Sequence, residues 1–239
     1  MTLKEKRVLI LGGTSGIGLA VAEAAVSQGA HVIVVSSQQG RVDAALARLG
    51  AESEGHAADL SDEKSVEGMF NRVQPFDHLV ITAGDSILQL PIGATELADA
   101  QNFFGVRFWG AFLAAKHGGK LIRPGGSIVL TSSTVPRRPP VGFAIGAAIS
   151  GAVEAFARAL AVELAPVRVN VVAPGIVRTP LWDRLPKEQR EAFFAARGAA
   201  LPVGKVGEPA EVAEAYLSLM RSTFTTGQSL VVDGGMLLV

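Results

Sequence analysis

Two short stretches of this chain carry residue types suited to chemistry, and a third is informative for what it lacks. Gly12-Gly13-Thr14-Ser15-Gly16-Ile17-Gly18 follows the apolar run Val8 to Leu11 and opens a helical pattern. Its glycines allow a sharp turn, close approach of backbone to a pyrophosphate and tight packing of helix on strand, while the helix N-terminus offers N–H groups to the anion. Ser132-Ser133 follows another apolar run, and a serine hydroxyl can polarise a carbonyl oxygen. Between Ser133 and the helix carrying Ala152, Phe156 and Leu160 the chain reads Gly146-Ala147-Ala148-Ile149-Ser150. The only tyrosine is Tyr216 and no lysine lies between Lys120 and Lys187. Whatever the register, that stretch holds neither a phenol nor an ammonium to act as an acid/base pair.

The elements that must position these residues alternate along the chain. Val8 to Leu11, His31 to Ser36, His78 to Thr82, Ser127 to Thr131, Arg168 to Val172 and Ser229 to Val232 read as continuous buried strands, as a parallel sheet covered on both faces requires. Helical periodicity places helices at about 16–28, 41–49, 62–73, 95–117, 147–164 and 208–220. The alternation predicts an α/β fold, a doubly wound parallel sheet of Rossmann type with right-handed crossovers and helices on both faces. Residues 1–239 form one domain in this reading, with no repeat and no linker; Pro136-Arg137-Arg138-Pro139-Pro140 is a stiff local loop.

Composition narrows the function classes. At 239 residues, with 49% hydrophobic residues, the chain can bury a large core. Net charge is zero and the fifteen arginines are scattered among acids, which argues against a nucleic-acid partner. Without cysteine there are no disulfides or thiolate metal sites, and His31, His56, His78 and His117 are too dispersed for a metal, so none is expected. The apolar run behind the first seven residues is too short for a signal segment, and no stretch is expected to reach membrane-spanning length. A soluble, cytoplasmic protein without a membrane partner is the expectation.

The Gly-x-x-x-Gly-Ile-Gly spacing resembles the short-chain dehydrogenase/reductase superfamily, and the likeness recurs along nearly the whole chain. It is carried by Asp59-Leu60, Ala83-Gly84, Gly126-Ser127-Ile128 leading to Ser132-Ser133, Arg168-Val169-Asn170, Pro174-Gly175-Ile176-Val177-Arg178-Thr179, and Gly227-Gln228 before Val232-Asp233-Gly234-Gly235. The resemblance implies an NAD(P)-binding oxidoreductase acting on a small carbonyl or alcohol. Gly12, Thr14, Ser15, Gly16, Ile17 and Gly18 would surround the phosphates, Asp59 and Leu60 the adenine, Ala83 and Gly84 the ribose region, and Pro174, Gly175, Ile176 and Thr179 the nicotinamide. Ser133 keeps the place of the substrate-orienting serine. Three positions depart from the family's pattern: Arg107 stands for the helix Asn that anchors a relay water, Gly146 for the acid/base Tyr, and Ser150 for the Lys that lowers its pKa. Ile81 and Thr82 also replace the two Asn of the strand-four motif.

Reduction of a carbonyl leaves an alkoxide, and a positioned acid typically contributes about 10²- to 10⁴-fold to its formation. Three replacements are open: Arg107 as an electrostatic clamp on a developing oxyanion, Asp85 as acid/base, or a substrate that needs no protein acid. Against them stand structural readings, with Arg107 filling vacated space and Asp85 a loop or cap residue. At the end of the second strand Val35 is followed by Ser36, Ser37 and Gln38, then Arg41, with no acid to bond a ribose 2′-hydroxyl, so NADP(H) is expected over NAD(H). The alternative is that Ser36 and Ser37 merely cap a helix. Leu181 to Leu185 and Phe193-Phe194 form a substrate lid at about 180–200, suited to an apolar or aromatic ligand or simply packing a helix down. Arg137, Arg138 and Arg178 either draw an anionic group to its mouth or are solvated. Phe103, Phe104, Phe108, Trp109 and Phe112 exceed what one core face can use, and with Ala147, Gly151, Ala155 and Ala159 they predict pairing of helices in a homotetramer or dimer. Two function classes follow: a divergent NADP(H)-dependent oxidoreductase with a non-standard acid/base site, or a catalytically inactive dinucleotide-binding protein, either a sensor or the inactive partner of an active subunit.

Overall fold

The computed structural model describes residues 2–84 and 89–239. Strands β1 (Arg7–Leu11), β2 (His31–Ser36), β3 (Glu54–Ala57), β4 (Phe76–Ile81), β5 (Ile122–Thr131), β6 (Arg168–Pro174) and β7 (Ser229–Val232) form one parallel sheet in the order β3-β2-β1-β4-β5-β6-β7. Because side chains alternate across a strand, successive residues feed opposite cores. Val8 and Ile10 face the layer containing α1 (Gly16–Ser27), α2 (Gln39–Leu49) and α8 (Pro209–Arg221). Leu9 and Leu11 face the layer of α3 (Glu63–Phe70), α5 (Gly110–Gly118) and α6 (Ala144–Glu163). Both faces are covered, so the central strands need the unbroken Val/Ile/Leu runs seen in the sequence. The strand order reverses between β1 and β4, and ligands of such sheets bind in the crevice opened there at the strands' carboxyl ends.

Several elements differ from the sequence reading. Strand β3 and helix α7 (Lys187–Ala199) were not foreseen as elements. The run Glu54-Gly55-His56-Ala57 has no apolar alternation because it lies at the sheet edge and pairs only with β2. Gly55 is required there, since a Cβ on it would lie 2.4 Å from a methyl of Val42 on α2. The single helix expected at 95–117 is instead α4 (Leu97–Phe104), a π-helical turn (Gly105–Trp109) and α5. Glycines at both ends of that turn permit the irregularity, and Gly110 also packs against Leu60, where a Cβ would meet the backbone oxygen at 3.2 Å. Strand β7 is not fully buried as expected: it is an outer strand, and Leu230 is 39% exposed.

Helix α6 corrects the expectation that no segment reaches membrane-spanning length, for its 20 residues are long and apolar enough by composition. The reason is its alanine and glycine content. Val153, Ala157 and Leu160 pack in the core against the sheet, whereas Ala148, Ala155, Ala159 and Val162 are exposed on the other side. The same helix carries the polar side chains Glu154, Arg158 and Glu163.

Candidate functional site

The first β-α turn is held by mutual close packing. Gly12 has φ +86°, and a Cβ on it would lie 2.6 Å from the backbone nitrogen of Ala83. A Cβ on Gly18 would lie 2.2 Å from the Gly12 carbonyl oxygen and 2.4 Å from the Thr82 hydroxyl. Thr82, in the place of one of the family's asparagines, donates its hydroxyl hydrogen to the Leu11 and Gly12 carbonyls at 3.2 and 3.3 Å and so ties β4 to the turn. Ser15 caps α1 without a side-chain bond to the helix, leaving its hydroxyl and the first-turn N–H groups available to an anion. Thr179 and Pro180 close the other side, 3.3 and 3.6 Å from where a Cβ of Gly16 would stand.

A cavity of about 1250 Å³ runs along the carboxyl ends of the strands from this turn in both directions. The residues named from the sequence for the cofactor, together with Arg107 and Ser133, line it, from Ser36, Ser37 and Arg41 at one end to Arg107 and Ser133 at the other; Arg137, Arg138 and Arg178 do not. Asp59 lies at the first end, and the Ser61 hydroxyl and backbone N–H hold its carboxyl below the ordinary value. Ser36 and Ser37 do not cap α2, whose N-cap is Gln38, so the capping alternative is not what the fold uses. Asp85 lies outside the described residues.

At the other end, the C-terminus of β5 meets the start of α6. The Ser133 and Ser150 hydroxyls lie 2.8 Å apart, and Ser133 Oγ also accepts the Val135 N–H at 3.3 Å. Behind them Ser132 donates to Glu154 at 2.9 Å, and Arg137 binds both carboxylate oxygens of Glu154 at 2.8 and 3.0 Å. Glu154 is nearly buried, so this bidentate pair fixes α6 against the serine strand end. Sequence reasoning missed the Ser133–Ser150 pair and the Glu154–Arg137 brace, because neither follows a short-range spacing. Gly146 lines the cleft, and a Cβ there would meet only a ring carbon of Phe143, at 3.5 Å.

The π-helical turn carries Arg107 into the cleft, its guanidinium 5.1 Å above the Phe103 ring and close enough to Gly84 that a Cβ there would lie 2.8 Å from a guanidinium nitrogen. Tyr216 is not an alternative proton donor. Its hydroxyl is buried in α8 against Thr131 at 2.7 Å, and desolvation pushes its pKa up beyond that of a free phenol.

Other sequence motifs prove to be braces. Arg168 donates to the Leu219 and Met220 carbonyls at 2.8 and 3.0 Å, capping α8, while Asn170 bonds Thr225 and Gln228 at the entrance to β7. Gly175 is required by Asp233, whose Cα would lie 2.9 Å from a Cβ; Asp233 in turn accepts the Gly235 and Leu237 N–H groups. In the segment expected to form a lid, Trp182 stacks on Phe193 with ring centres 4.7 Å apart and donates its indole N–H to the Val177 carbonyl.

Comparison with known proteins agrees with this fold. The family model described as Enoyl-(Acyl carrier protein) reductase matches residues 12–237. A short-chain dehydrogenase/reductase, ucsE, of an Acremonium species is 37% identical over 99% of this chain and 97% of its own length. The mouse 3-oxoacyl-[acyl-carrier-protein] reductase is 33% identical over 98% of this chain and 99% of its own. Among solved structures, a small-chain dehydrogenase in complex with NADPH superposes with a TM-score of 0.87 at 38% identity, covering 99% of this chain and all of that one. The chain belongs to the short-chain dehydrogenase/reductase family of oxidoreductases.

Proposed function

We propose that this protein is an NADP(H)-dependent oxidoreductase of small carbonyl or alcohol compounds whose acid/base site departs from the family's. The observation that carries the reading is one continuous cleft joining the glycine turn to the Ser133–Ser150 pair, with no carboxylate following Val35. An NADPH complex of a 38% identical relative supports the choice of dinucleotide. In this reading the turn from Gly12 to Gly18 takes the pyrophosphate, Asp59 and Leu60 flank the adenine, Ser36, Ser37 and Arg41 take the 2′-phosphate, and Pro174 to Thr179 hold the nicotinamide. When bound, the cofactor supplies or accepts the hydride.

The chain's own residues then have two tasks. Ser133 and Ser150 present hydroxyls to the substrate oxygen; one hydrogen is used between them and the other is donated outward, strengthened by the chain of bonds behind it. Arg107, beside Gly84, places positive charge where an oxyanion develops. An aliphatic hydroxyl is too weak an acid to replace a phenol, so the final proton comes from water and simple ketones turn over slowly. NADPH oxidation against a panel of carbonyl compounds tests this. Slow turnover that falls further in Ser133→Ala and Arg107→Ala supports it, and robust turnover that survives both substitutions places the chemistry elsewhere.

The second reading, dinucleotide binding without chemistry, is favoured by Gly146 and Ser150 standing together where the family has its acid/base pair and by burial of the only phenol. NADPH binding without turnover of any panel member would select it. In either case we place two copies of the chain face to face. Trp109 and Phe112 are 52% and 38% exposed, and α6 presents its open alanine side beside them. Light scattering at micromolar concentration checks this; a monomer contradicts it.

A further inference from the structure

One side chain in the cleft wall was not named from the sequence. Met236 lines the cavity from the 3₁₀ turn Met236–Leu238 that follows β7. Its sulfur lies against Thr134, the buried neighbour of Ser133, whose hydroxyl donates to Sδ at 3.8 Å. The Thr134 carbonyl also accepts the N–H groups of Arg137 and Arg138 at 3.0 and 3.2 Å, and the Arg138 side chain in turn donates to the Met236 carbonyl at 3.0 Å. One short turn of chain therefore holds Met236 by its backbone and by its side chain. The opposite side is fixed by close packing. Gly234 and Gly235 have φ +63° and +87°, and a Cβ on them would lie 2.7 Å from a Val203 methyl and 2.6 Å from the Pro202 ring. Asp233 accepts the N–H groups of Gly235 and Leu237, on either side of Met236, at 2.8 and 2.9 Å. Methionine is ordinarily the most adaptable of apolar side chains, but here its backbone is anchored and its sulfur engaged, so it forms a wall of defined position.

We infer that Met236 is a specificity-determining residue: its side chain bounds the cleft beside Thr134 and limits the length of the apolar arm a substrate can carry. This rests on the proposed reading of the cleft and names the residue that sets the size of its ligand. Arg138, exposed and outside the cleft wall, is a positioning residue that acts through the Met236 carbonyl. In a hydrophobic pocket one methylene more or less changes discrimination by about 10- to 200-fold, so a side chain as long as methionine decides between a short and a long ligand.

Calorimetric titration with acetophenone and the longer 4-acetylbiphenyl tests the inference, each with and without saturating NADP⁺. A ketone cannot react with the oxidised cofactor, so the titration reads binding alone. Preference for the longer ketone is expected to rise about tenfold in Met236→Ala and to fall about as much in Met236→Trp, with NADP⁺ affinity within about threefold of wild type. Met236→Leu conserves volume and is expected to keep the wild-type preference, so the Ala and Leu variants decide the matter even if the Trp variant does not fold. Arg138→Ala is expected to move the preference toward that of Met236→Ala, and Arg138→Lys, which still offers a donor to the carbonyl, to restore it. A preference that stays within about twofold in Met236→Ala, that moves the other way, or that changes equally in Met236→Leu overturns the inference. So does failure of both ketones to bind any of these proteins, or a loss of NADP⁺ affinity with the preference unchanged, for Met236 then faces the cofactor. The NADP⁺ titration alone judges the cofactor reading, and the comparison of ketones without NADP⁺ judges Met236 even if that reading fails.

Discussion

The two ends of the cleft are built on opposite principles. Around the glycine turn, backbone touches backbone: Gly12, Gly18, Ala83 and Thr82 leave no room for another carbon atom, and the residues match the family's motif. Around Gly146, a Cβ would meet a single ring carbon at 3.5 Å, and the cleft is lined by side chains: Ser133 and Ser150, bonded to each other, and Arg107. A cradle formed by backbone N–H groups depends on chain path, so a side chain added at its close-packed glycines destroys it. A site formed by side chains can be emptied and refilled while the fold stands. That contrast explains how a dinucleotide crevice persists in the proposed function while the proton-transfer apparatus does not.

The contrast can be broken most forcefully at the turn. Gly18→Ala places a methyl against the Gly12 carbonyl and the Thr82 hydroxyl and is expected to cost about 3 kcal/mol or more, with NADPH affinity falling beyond detection. Thermal denaturation and calorimetry read both effects. If the variant binds NADPH normally, the packing described for the turn is wrong.

A smaller loss is expected from Glu154→Ala, which leaves the Ser132 hydroxyl and Arg137 without their acceptor. Because Arg137 is 32% exposed and water can replace the carboxylate, about 1 to 3 kcal/mol is expected, with NADPH affinity kept. An unchanged melting temperature would show that the brace holds nothing.

His78, at the opposite pole of the sheet, supplies a control that leaves the cleft alone. Burial is the main cause that lowers its pKa from 6.5 to about 4, and its Nδ1 pairs with Ser127 at 2.9 Å. The unfolded chain therefore binds a proton at higher pH than the folded one. Stability is complete above pH 6.5 and falls as pH drops toward 4, by up to about 3 kcal/mol. Replacing His78 by Gln should flatten the upper part of that curve, measured as melting temperature between pH 7 and 5.5; an unchanged slope assigns the proton uptake to another group.

Tyr216→Phe removes only the bond to Thr131. About 1 kcal/mol of stability is expected to be lost with no change in turnover, and a loss of activity alone would make that phenol the missing acid. The smallest effect belongs to Gly146→Ala, within about 0.5 kcal/mol of wild type and without effect on NADPH binding. A large destabilisation there would show that the two ends are built alike.

How much of this was legible in the sequence follows the same division. The glycine turn and six of the seven strands are read correctly because each depends on neighbours close in the chain, and the residues proposed for the dinucleotide line one cleft. Strand β3 was not, since an edge strand made of Glu54-Gly55-His56-Ala57 takes its shape from pairing with β2 rather than from its own pattern. The π-helical turn at Gly105–Trp109 was missed because its residues continue a helical period and only the tertiary contact of Gly110 with Leu60 marks the break. At the substrate end, Ser133 pairs with Ser150 across 17 positions and Ser132 reaches Glu154 across 22, distances at which no periodic signal connects residues.

The most direct test of the account is a calorimetric titration of the wild-type protein and of the double substitution Gly146→Tyr and Ser150→Lys with NADPH and with NADH. The expected result is binding of NADPH by both proteins with affinities within about threefold, tighter than NADH in each, because the dinucleotide end is complete without the acid/base pair. Absence of heat with either dinucleotide from folded wild-type protein, or binding that appears only in the double substitution, would contradict it.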